Sequence, residues 1–217
     1  MQNANASLFL FTFGDMKKVF IILIVTLISL PTLGQISDIL DAIEAKGSGV
    51  VSFESHVTRH NEKADVTTSI EEGILYYVRP DKIASYFDNG DYMVVNGNHM
   101  KIDIGIFHGR FKLSRNKLMR SISRIYLYAA QGLCRKFAEE GNYDMKINKE
   151  QDYFIVQCTS QKKHLLGLGY QQISFYYGQN DLLIKKIVLI DNNNIIETFT
   201  LSDIHCDISI DESKFEL

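Results

Sequence analysis

Most of the chain after residue 50 alternates apolar and polar side chains with a period of two, and this restricts the fold more than any other feature. In the first run Val51, Phe53 and Val57 alternate with polar neighbours, as expected of a half-buried β-strand. Similar runs predict strands at 65–79, 82–87, 91–95, 98–104, 143–147, 153–159, 170–177, 182–190, 195–201 and 204–210. Asn96-Gly97 lies between two of them and predicts a type I′ hairpin turn. The pattern indicates a large antiparallel sheet of about ten or eleven strands.

Two segments instead repeat their apolar residues at helical spacing. The first follows Ser37, an expected N-cap, is expected to stop at Gly47 and Gly49, and carries Ile36, Ile39, Leu40 and Ile43. The second is predicted to run from Ser114 to about Gln131, with Gly132 as its C-cap. Its apolar face comprises Leu118, Met119, Ile122, Ile125, Tyr126 and Ala129, and its outer face is basic, with Lys117, Arg120, Ser121 and Arg124. These elements predict one α+β domain with a curled sheet.

A sheet that curls part-way presents a concave apolar face, and the helices are the elements available to cover it. One interpretation is that they form a lid over a ligand cavity. The other is that they belong to a permanent core. The sequence leaves both interpretations open.

Charge and reactive side chains exclude several classes of protein. The chain has 23 basic and 26 acidic residues, net charge −3, which does not favour a nucleic-acid partner. Cys134, Cys158 and Cys206 are too few for a disulfide framework or a metal cluster. They are expected to be buried apolar residues, with a Cys158–Cys206 bridge as the alternative.

Catalytic and metal motifs are not apparent in the sequence. His56 and His60 fall in a strand pattern, where strand rise separates them by about 13 Å, too far to share a metal ion. Neither a nucleophile elbow nor a phosphate-binding glycine loop precedes a predicted helix. We therefore expect neither an enzyme nor a cofactor or metal.

The N-terminal region resembles an export signal. Lys17 and Lys18 precede an apolar stretch, 19–33, and a small residue at the expected cleavage point between Gly34 and Gln35. Fifteen residues are short for a membrane span, which remains the alternative. Residues 1–34 are thus predicted to be an upstream extension, with Met16 as the natural start, plus a cleaved signal. Residues 35–217 are predicted to be the exported domain, and no cysteine at the end of the apolar stretch offers a lipid anchor.

The segment 71–102 contains the most specific arrangement in the chain. Strand alternation places Leu75, Tyr77 and Arg79 on one face, and Pro80 ends the strand. If that face is concave, the guanidinium of Arg79 lies at the rim of an apolar cavity and needs partners. Backbone carbonyls of the covering helices are the expected acceptors, since arginine carries five donors. The alternative is an exposed arginine at a strand end.

These residues carry a resemblance to a known family. The sequences "GILYYVRPDKIASYF" and "YMVVNG", together with closing strands that end in Ser213, Lys214 and Phe215, resemble the periplasmic outer-membrane lipoprotein carriers of LolA type. The resemblance implies a half-open antiparallel β-barrel whose apolar cavity is covered by helices, with Arg79 holding the lid closed. The acyl cavity would be lined by Leu75, Tyr77, Ile83, Phe87, Met93, Val95, Leu118, Met119, Ile122, Ile125 and Tyr126.

The resemblance also implies a function. The chain would be a soluble, monomeric periplasmic carrier and chaperone of acylated lipoproteins. It would receive them from an inner-membrane lipoprotein-releasing transporter and deliver them to an outer-membrane acceptor. The alternatives are a non-transporting envelope lipid-binding sensor on the same fold and, third, a hydrolase of envelope lipids. Tryptophan is absent and Ser85 stands where the family would place a large aromatic, so the choice of ligand stays open.

Overall fold

The computed structural model describes residues 33–63, 66–161 and 169–217, with side chains from residue 37 onward. The chain divides into two compact units, Met1–Asp38 and Ile39–Leu217. The predicted export signal lies outside the described residues up to residue 32, including Met16 and the basic pair Lys17 and Lys18, and its last two residues, Leu33 and Gly34, fall in the first helix of the structure. Every strand of the described residues belongs to the second unit.

The helices and strands follow one another in an order that separates two blocks of strands by helices. Helix α1 spans Leu33–Gly49, α2 spans Lys117–Gln131 and α3 spans Cys134–Gly141. The first block of strands comprises β1 (Ser52–Lys63), β2 (Val66–Val78), β3 (Lys82–Phe87), β4 (Tyr92–Asn96), β5 (His99–Ile104) and β6 (Phe107–Lys112). The second comprises β7 (Tyr143–Glu150), β8 (Tyr153–Ser160), β9 (Tyr170–Gly178), β10 (Ile184–Asp191) and β11 (Ile195–Cys206). A short 3₁₀ helix, Glu212–Phe215, comes after β11.

All eleven strands of the described residues form one antiparallel sheet in the order β6-β5-β4-β3-β2-β1-β11-β10-β9-β8-β7. The sheet is open, because β6 and β7 are its edges and do not pair with each other. Helices α2 and α3 lie in the connection between these two edge strands. The predicted α+β, half-open antiparallel architecture is confirmed.

Several predicted boundaries are wrong. Helix α1 ends at Gly49, one of the two glycines expected to stop it, but it begins at Leu33, so Ser37 lies inside the helix and is not its N-cap. Helix α2 is capped by the side chain of Asn116, which accepts from the Met119 amide, and not by Ser114. Strand β6 and helix α3 were not predicted, and the two runs at 195–201 and 204–210 form one strand ending at Cys206.

The predicted hairpin exists, but its turn differs from the expected type I′ arrangement. Asn96 pairs with His99 within the ladder, so the two loop residues are Gly97 and Asn98. Of these, only Gly97 has a positive φ, +58°. That is the pattern of a turn with glycine at its first central position. Asn96 stays in the strand, and its side-chain Nδ2 donates to the Phe215 carbonyl oxygen at 3.2 Å.

The two faces of the sheet are covered by different parts of the chain. The concave face packs against the helices in one large hydrophobic cluster. On the convex face, Phe215 of the 3₁₀ helix is buried against Tyr76, Ala84 and Val94. The C-terminal segment thus takes up the convex surface of β2–β4, which leaves the helices as the cover of the concave side. We call α2, α3 and residues 39–49 of α1 the cover.

Candidate ligand-binding face

The residues predicted to line an acyl cavity all belong to the hydrophobic cluster between sheet and cover. Nine of the eleven are buried, namely Leu75, Tyr77, Ile83, Phe87, Met93, Val95, Met119, Ile125 and Tyr126. Leu118 and Ile122 of α2 are partly buried and pack against the same cluster. Alternate positions of β2, β3 and β4 therefore meet the apolar face of α2.

The space between sheet and cover is filled by the protein's own side chains. Two cavities there, one beside Ile43 and Tyr177 and one beside Leu75 and Tyr126, each have a volume of about 10 Å³. Such a volume accommodates about one water molecule. An acyl chain does not fit into either cavity in this arrangement, so binding at this face requires the cover to move.

Two helices of the cover cross at a pair of glycines. A Cβ atom added to Gly47 would lie 2.3 Å from the Gln131 carbonyl carbon, and one added to Gly132 would lie 2.5 Å from the Ile43 carbonyl oxygen. Gly132 is also the C-cap of α2, with φ +69°. The backbones of α1 and α2 are therefore in direct contact, which links the two helices in one packed unit.

Gly132→Ala is expected to lower the free energy of unfolding by at least about 2 kcal/mol, because the methyl group adds a backbone clash to a strained positive φ. Gly49→Ala is the matched control, since its Cβ would have no neighbour within 4 Å and its φ is not positive. The control is expected to be neutral or slightly stabilising. Equal midpoints of urea unfolding for both variants would contradict the close contact.

Polar contacts join the rim of the sheet to the cover at the end where α1 stops. The Arg79 guanidinium (Nη1) donates to the Ser48 carbonyl oxygen of α1. Next to it, the Gln131 side chain at the end of α2 donates through Nε2 to the Pro80 carbonyl oxygen at 2.6 Å. Two adjacent residues of one turn thus contact both crossing helices.

The structure places Arg79 differently from the sequence prediction in one respect. Strand β2 ends at Val78, so alternation no longer applies one residue later, and Arg79 is exposed instead of sharing the buried face of Leu75 and Tyr77. Its neighbour Tyr77 is fully buried, and burial raises the pKa of that phenol to about 12. The arginine therefore contacts the cover from the outside of the rim.

A third contact between sheet and cover was not predicted. The Tyr177 hydroxyl of β9 donates to the Ala129 carbonyl oxygen of α2 at 3.0 Å and lies 3.2 Å from the Cys134 Sγ of α3. Burial raises the pKa of Tyr177 well above its usual value and that of Cys134 to about 12, so both groups are neutral at neutral pH. Strand alternation could have indicated that Tyr177 faces inward, but not its partners.

A buried ionic cluster lies on the concave side of β1 and β2, and the sequence analysis also missed it. Arg59 is 3% exposed. Its Nε donates to Glu71 at 3.1 Å, its Nη2 donates to Asp91, and its guanidinium carbon lies 4.6 Å from the centre of the Phe87 ring. Burial alone would lower the pKa of Arg59, but the two carboxylates more than offset that effect and raise the pKa above its usual value.

The ionic cluster extends to the neighbouring strands through Glu197, a carboxylate whose burial is only partly offset by nearby groups. The Tyr170 hydroxyl of β9 lies 3.4 Å from Glu197 of β11. Burial raises the pKa of Glu197, and Arg59 and Tyr170 offset only part of that effect. The same acid, acting on the buried Tyr126 of α2, contributes to raising the pKa of that phenol. The Glu197 carboxylate of the sheet is thus within electrostatic range of the cover.

Other candidate reactive groups are not assembled into a site. Among the described residues, no group of three or more His, Cys, Asp or Glu side chains could hold a metal ion. All three cysteines are free thiols, which contradicts the alternative of a Cys158–Cys206 bridge. Burial raises the pKa of Cys158 to about 12, which makes it a poor nucleophile. No helix in the described part of the chain is long and apolar enough to cross a membrane.

Comparison with known proteins supports the fold. No family model and no curated protein matches the chain. The solved structure of MucB has a TM-score of 0.50 and 13% identity over 87% of this chain, and the chain covers 64% of MucB, less than two thirds of that protein. The Pseudomonas aeruginosa MucA/MucB complex gives a TM-score of 0.45 and 14% identity, covering 83% of this chain and 60% of the other.

A third structure, a LolA superfamily protein (NE2245) from Nitrosomonas europaea, gives a TM-score of 0.41 and 11% identity, covering 83% of this chain and 97% of the other. At these identities each likeness is one of fold. The resemblance to proteins of LolA type is therefore shown for the fold alone.

Proposed function

We propose that the chain is an exported carrier that binds the acyl chains of lipoproteins beneath its helical cover and delivers them from the inner to the outer membrane. The observation that carries the proposal is an apolar concave sheet face whose cover adds no strand to the sheet. Because α2 and α3 connect the two edge strands, they can be displaced while every ladder of the sheet stays paired. The apolar residues of α2 and the sheet would then become the lining of an acyl site.

The energies of opening and binding are of similar size. An acyl chain gains about 0.8 kcal/mol for each buried CH₂ group, so half of a 16-carbon chain supplies several kcal/mol. Closure is favoured by the apolar contacts of α2 and by the bonds from Arg79, Gln131 and Tyr177. A hydrogen bond of this kind contributes about 0.5–1.5 kcal/mol, more when it is charged. Cargo and cover can therefore compete for the same face, as release requires.

The proposal is tested by spin labels on two adjacent residues of α2. Ile122 is partly buried in the cluster, whereas Ser121 is exposed on the outer face. A nitroxide at Ile122→Cys is expected to change its mobility on addition of a synthetic triacylated lipopeptide, because the label then meets either the cargo or a displaced sheet. A label at Ser121→Cys is the control and is expected to change little.

An unchanged spectrum at Ile122→Cys with saturating lipopeptide would contradict the carrier function, because the helices would then be permanent core. A change at both positions would instead indicate general unfolding of α2. Tryptic stability of the labelled protein distinguishes that case from local movement of the cover.

A non-transporting binding module is the second candidate. MucB, which shares the fold, is seen in a complex with MucA. By analogy this chain would bind an envelope lipid and report it to a protein partner, in place of a releasing transporter and an acceptor. Mass spectrometry of the protein purified from its own envelope separates the candidates. Bound triacylated protein supports the carrier, free lipid supports the module, and lipid cleavage products would indicate a hydrolase.

A further inference from the structure

One part of the chain carries an unusual excess of positive charge. Between Asp103 and Glu139 the sequence has eight Lys and Arg residues and no acidic residue, although the whole chain has a net charge of −3. Other strands of the sheet, such as β1 and β7, contain both basic and acidic residues, so the fold does not require such segregation. It therefore indicates a surface with an anionic partner.

The structure places five of these cations in one strip, which we call the basic strip: Arg110, Lys112, Arg115, Lys117 and Arg120. They lie on edge strand β6, on the turn after it and on the first turn of α2. None of the five has an ion-pair partner among the described residues, in contrast to Arg124, which lies 3.0 Å from Glu140. The strip thus presents uncompensated charge to solvent.

The same region exposes an apolar side chain. Ile106 lies in the turn that leads into β6, and it is 78% exposed. No other large apolar residue of the described chain is as exposed. Ile106 thus precedes the edge strand that carries Arg110 and Lys112. Exposed cations and an exposed apolar side chain on one sheet edge are a combination that binds an anionic membrane surface.

An acidic protein segment is a weaker fit to these observations. It would have to add as a strand to the free edge of β6, where Gly109 has φ +120° and interrupts the extended backbone. Cations on an edge strand are moreover a device that prevents strand addition. A membrane surface needs neither a regular edge nor a shaped pocket, so the observations favour it.

We propose that the basic strip and Ile106 form a docking surface for anionic phospholipid membranes. The surface lies on the sheet edge and the outer side of the cover, apart from the concave face. Docking on a membrane goes beyond the proposed carrier function. Because membrane binding is measured without acylated cargo, a protein that fails to dock can be distinguished from one that fails to bind acyl chains.

The test is flotation of the protein, purified from its own envelope, with vesicles of 30% phosphatidylglycerol in phosphatidylcholine. Binding to these vesicles at low salt is expected, with little binding to pure phosphatidylcholine and loss of binding at about 0.5 M NaCl, where charges are screened. The triple variant K112Q/R115Q/K117Q is expected to bind about 100-fold more weakly, at about fivefold per cation. Ile106→Ser is expected to weaken binding without changing its salt dependence, because it removes no charge.

The matched control is K63Q/K146Q/K149Q, which removes three exposed cations from other parts of the sheet and is expected to bind as the native protein does. Three results would overturn the proposal. These are equal binding to neutral and anionic vesicles, equal loss in the two triple variants, and binding of an oligoglutamate peptide without binding of anionic vesicles. The last result would assign the strip to an acidic protein partner.

Discussion

Replacing Arg59 by alanine is expected to lower the free energy of unfolding by about 3–5 kcal/mol, the largest stability effect we predict for a single side chain. In a domain of this size such a loss corresponds to a decrease in Tm of about 10 °C. Urea unfolding followed by circular dichroism at pH 7 measures the free energy, and calorimetry measures the Tm.

The large effect comes from the carboxylates that the substitution leaves unpaired. Arg59 is 3% exposed and holds Glu71 and Asp91, whose side chains are only 13% and 26% exposed. Without the guanidinium, both carboxylates stay in a poorly hydrated site, close to the half-buried Glu197. The penalty comes from charges without a counter-ion, and not from the loss of two hydrogen bonds alone.

Arg124→Ala is the matched control, because Arg124 also pairs with a glutamate at 3.0 Å but the two side chains are 36% and 33% exposed. A surface pair of this kind contributes about 0–1 kcal/mol. The triple variant R59M/E71Q/D91N is expected to recover much of the stability lost in Arg59→Ala, since it leaves no unpaired charge. Equal losses for Arg59→Ala and Arg124→Ala would contradict the role assigned to burial.

The extent to which the sequence predicted this molecule depends on the range of each interaction. Strand alternation and helical periodicity are local, and together they placed the buried face of Leu75 and Tyr77, the apolar face of α2 and the general architecture correctly. The ionic cluster depends on contacts between distant parts of the chain. Arg59 meets Glu71 only through the register of β1 and β2. It meets Asp91, the residue before β4, only because of the order in which β1 to β4 lie side by side in the sheet. The periodicity of the sequence predicts neither the register of two strands nor their order in the sheet.

Some positions have a tertiary role that local signals do not show. Glycine often ends a helix, as Gly49 does here, but Gly47 lies inside α1, where only a residue without a side chain allows the backbone of α1 to meet that of α2. Arg79 was assigned to a buried face because the strand was extended by one residue. The closed interior could not be predicted either, since its volume depends on how all the side chains of sheet and cover fill it together.

Replacing Arg79 by leucine is expected to give a protein that still loads acylated cargo but releases it about tenfold more slowly. In the free protein the Arg79 guanidinium bonds the Ser48 carbonyl and so favours the closed cover. A charged hydrogen bond at an exposed position contributes about 1–1.5 kcal/mol, and each 1.4 kcal/mol is a factor of ten in an equilibrium. Without it the closed state competes less well with cargo, so loading is undiminished or stronger and release is slower.

The measurement is transfer of a fluorescent triacylated lipopeptide from the loaded protein to acceptor vesicles, alongside its affinity for the free protein. Gln131→Leu, which removes the neighbouring bond to the Pro80 carbonyl, is expected to act in the same direction with a smaller effect because that bond is uncharged. Lys149→Leu is the control, since it removes an exposed cation from edge strand β7 without touching the cover. Normal transfer by Arg79→Leu would show that this arginine only ends a strand. Weaker loading together with slower transfer would indicate damage to the acyl site and not loss of a latch.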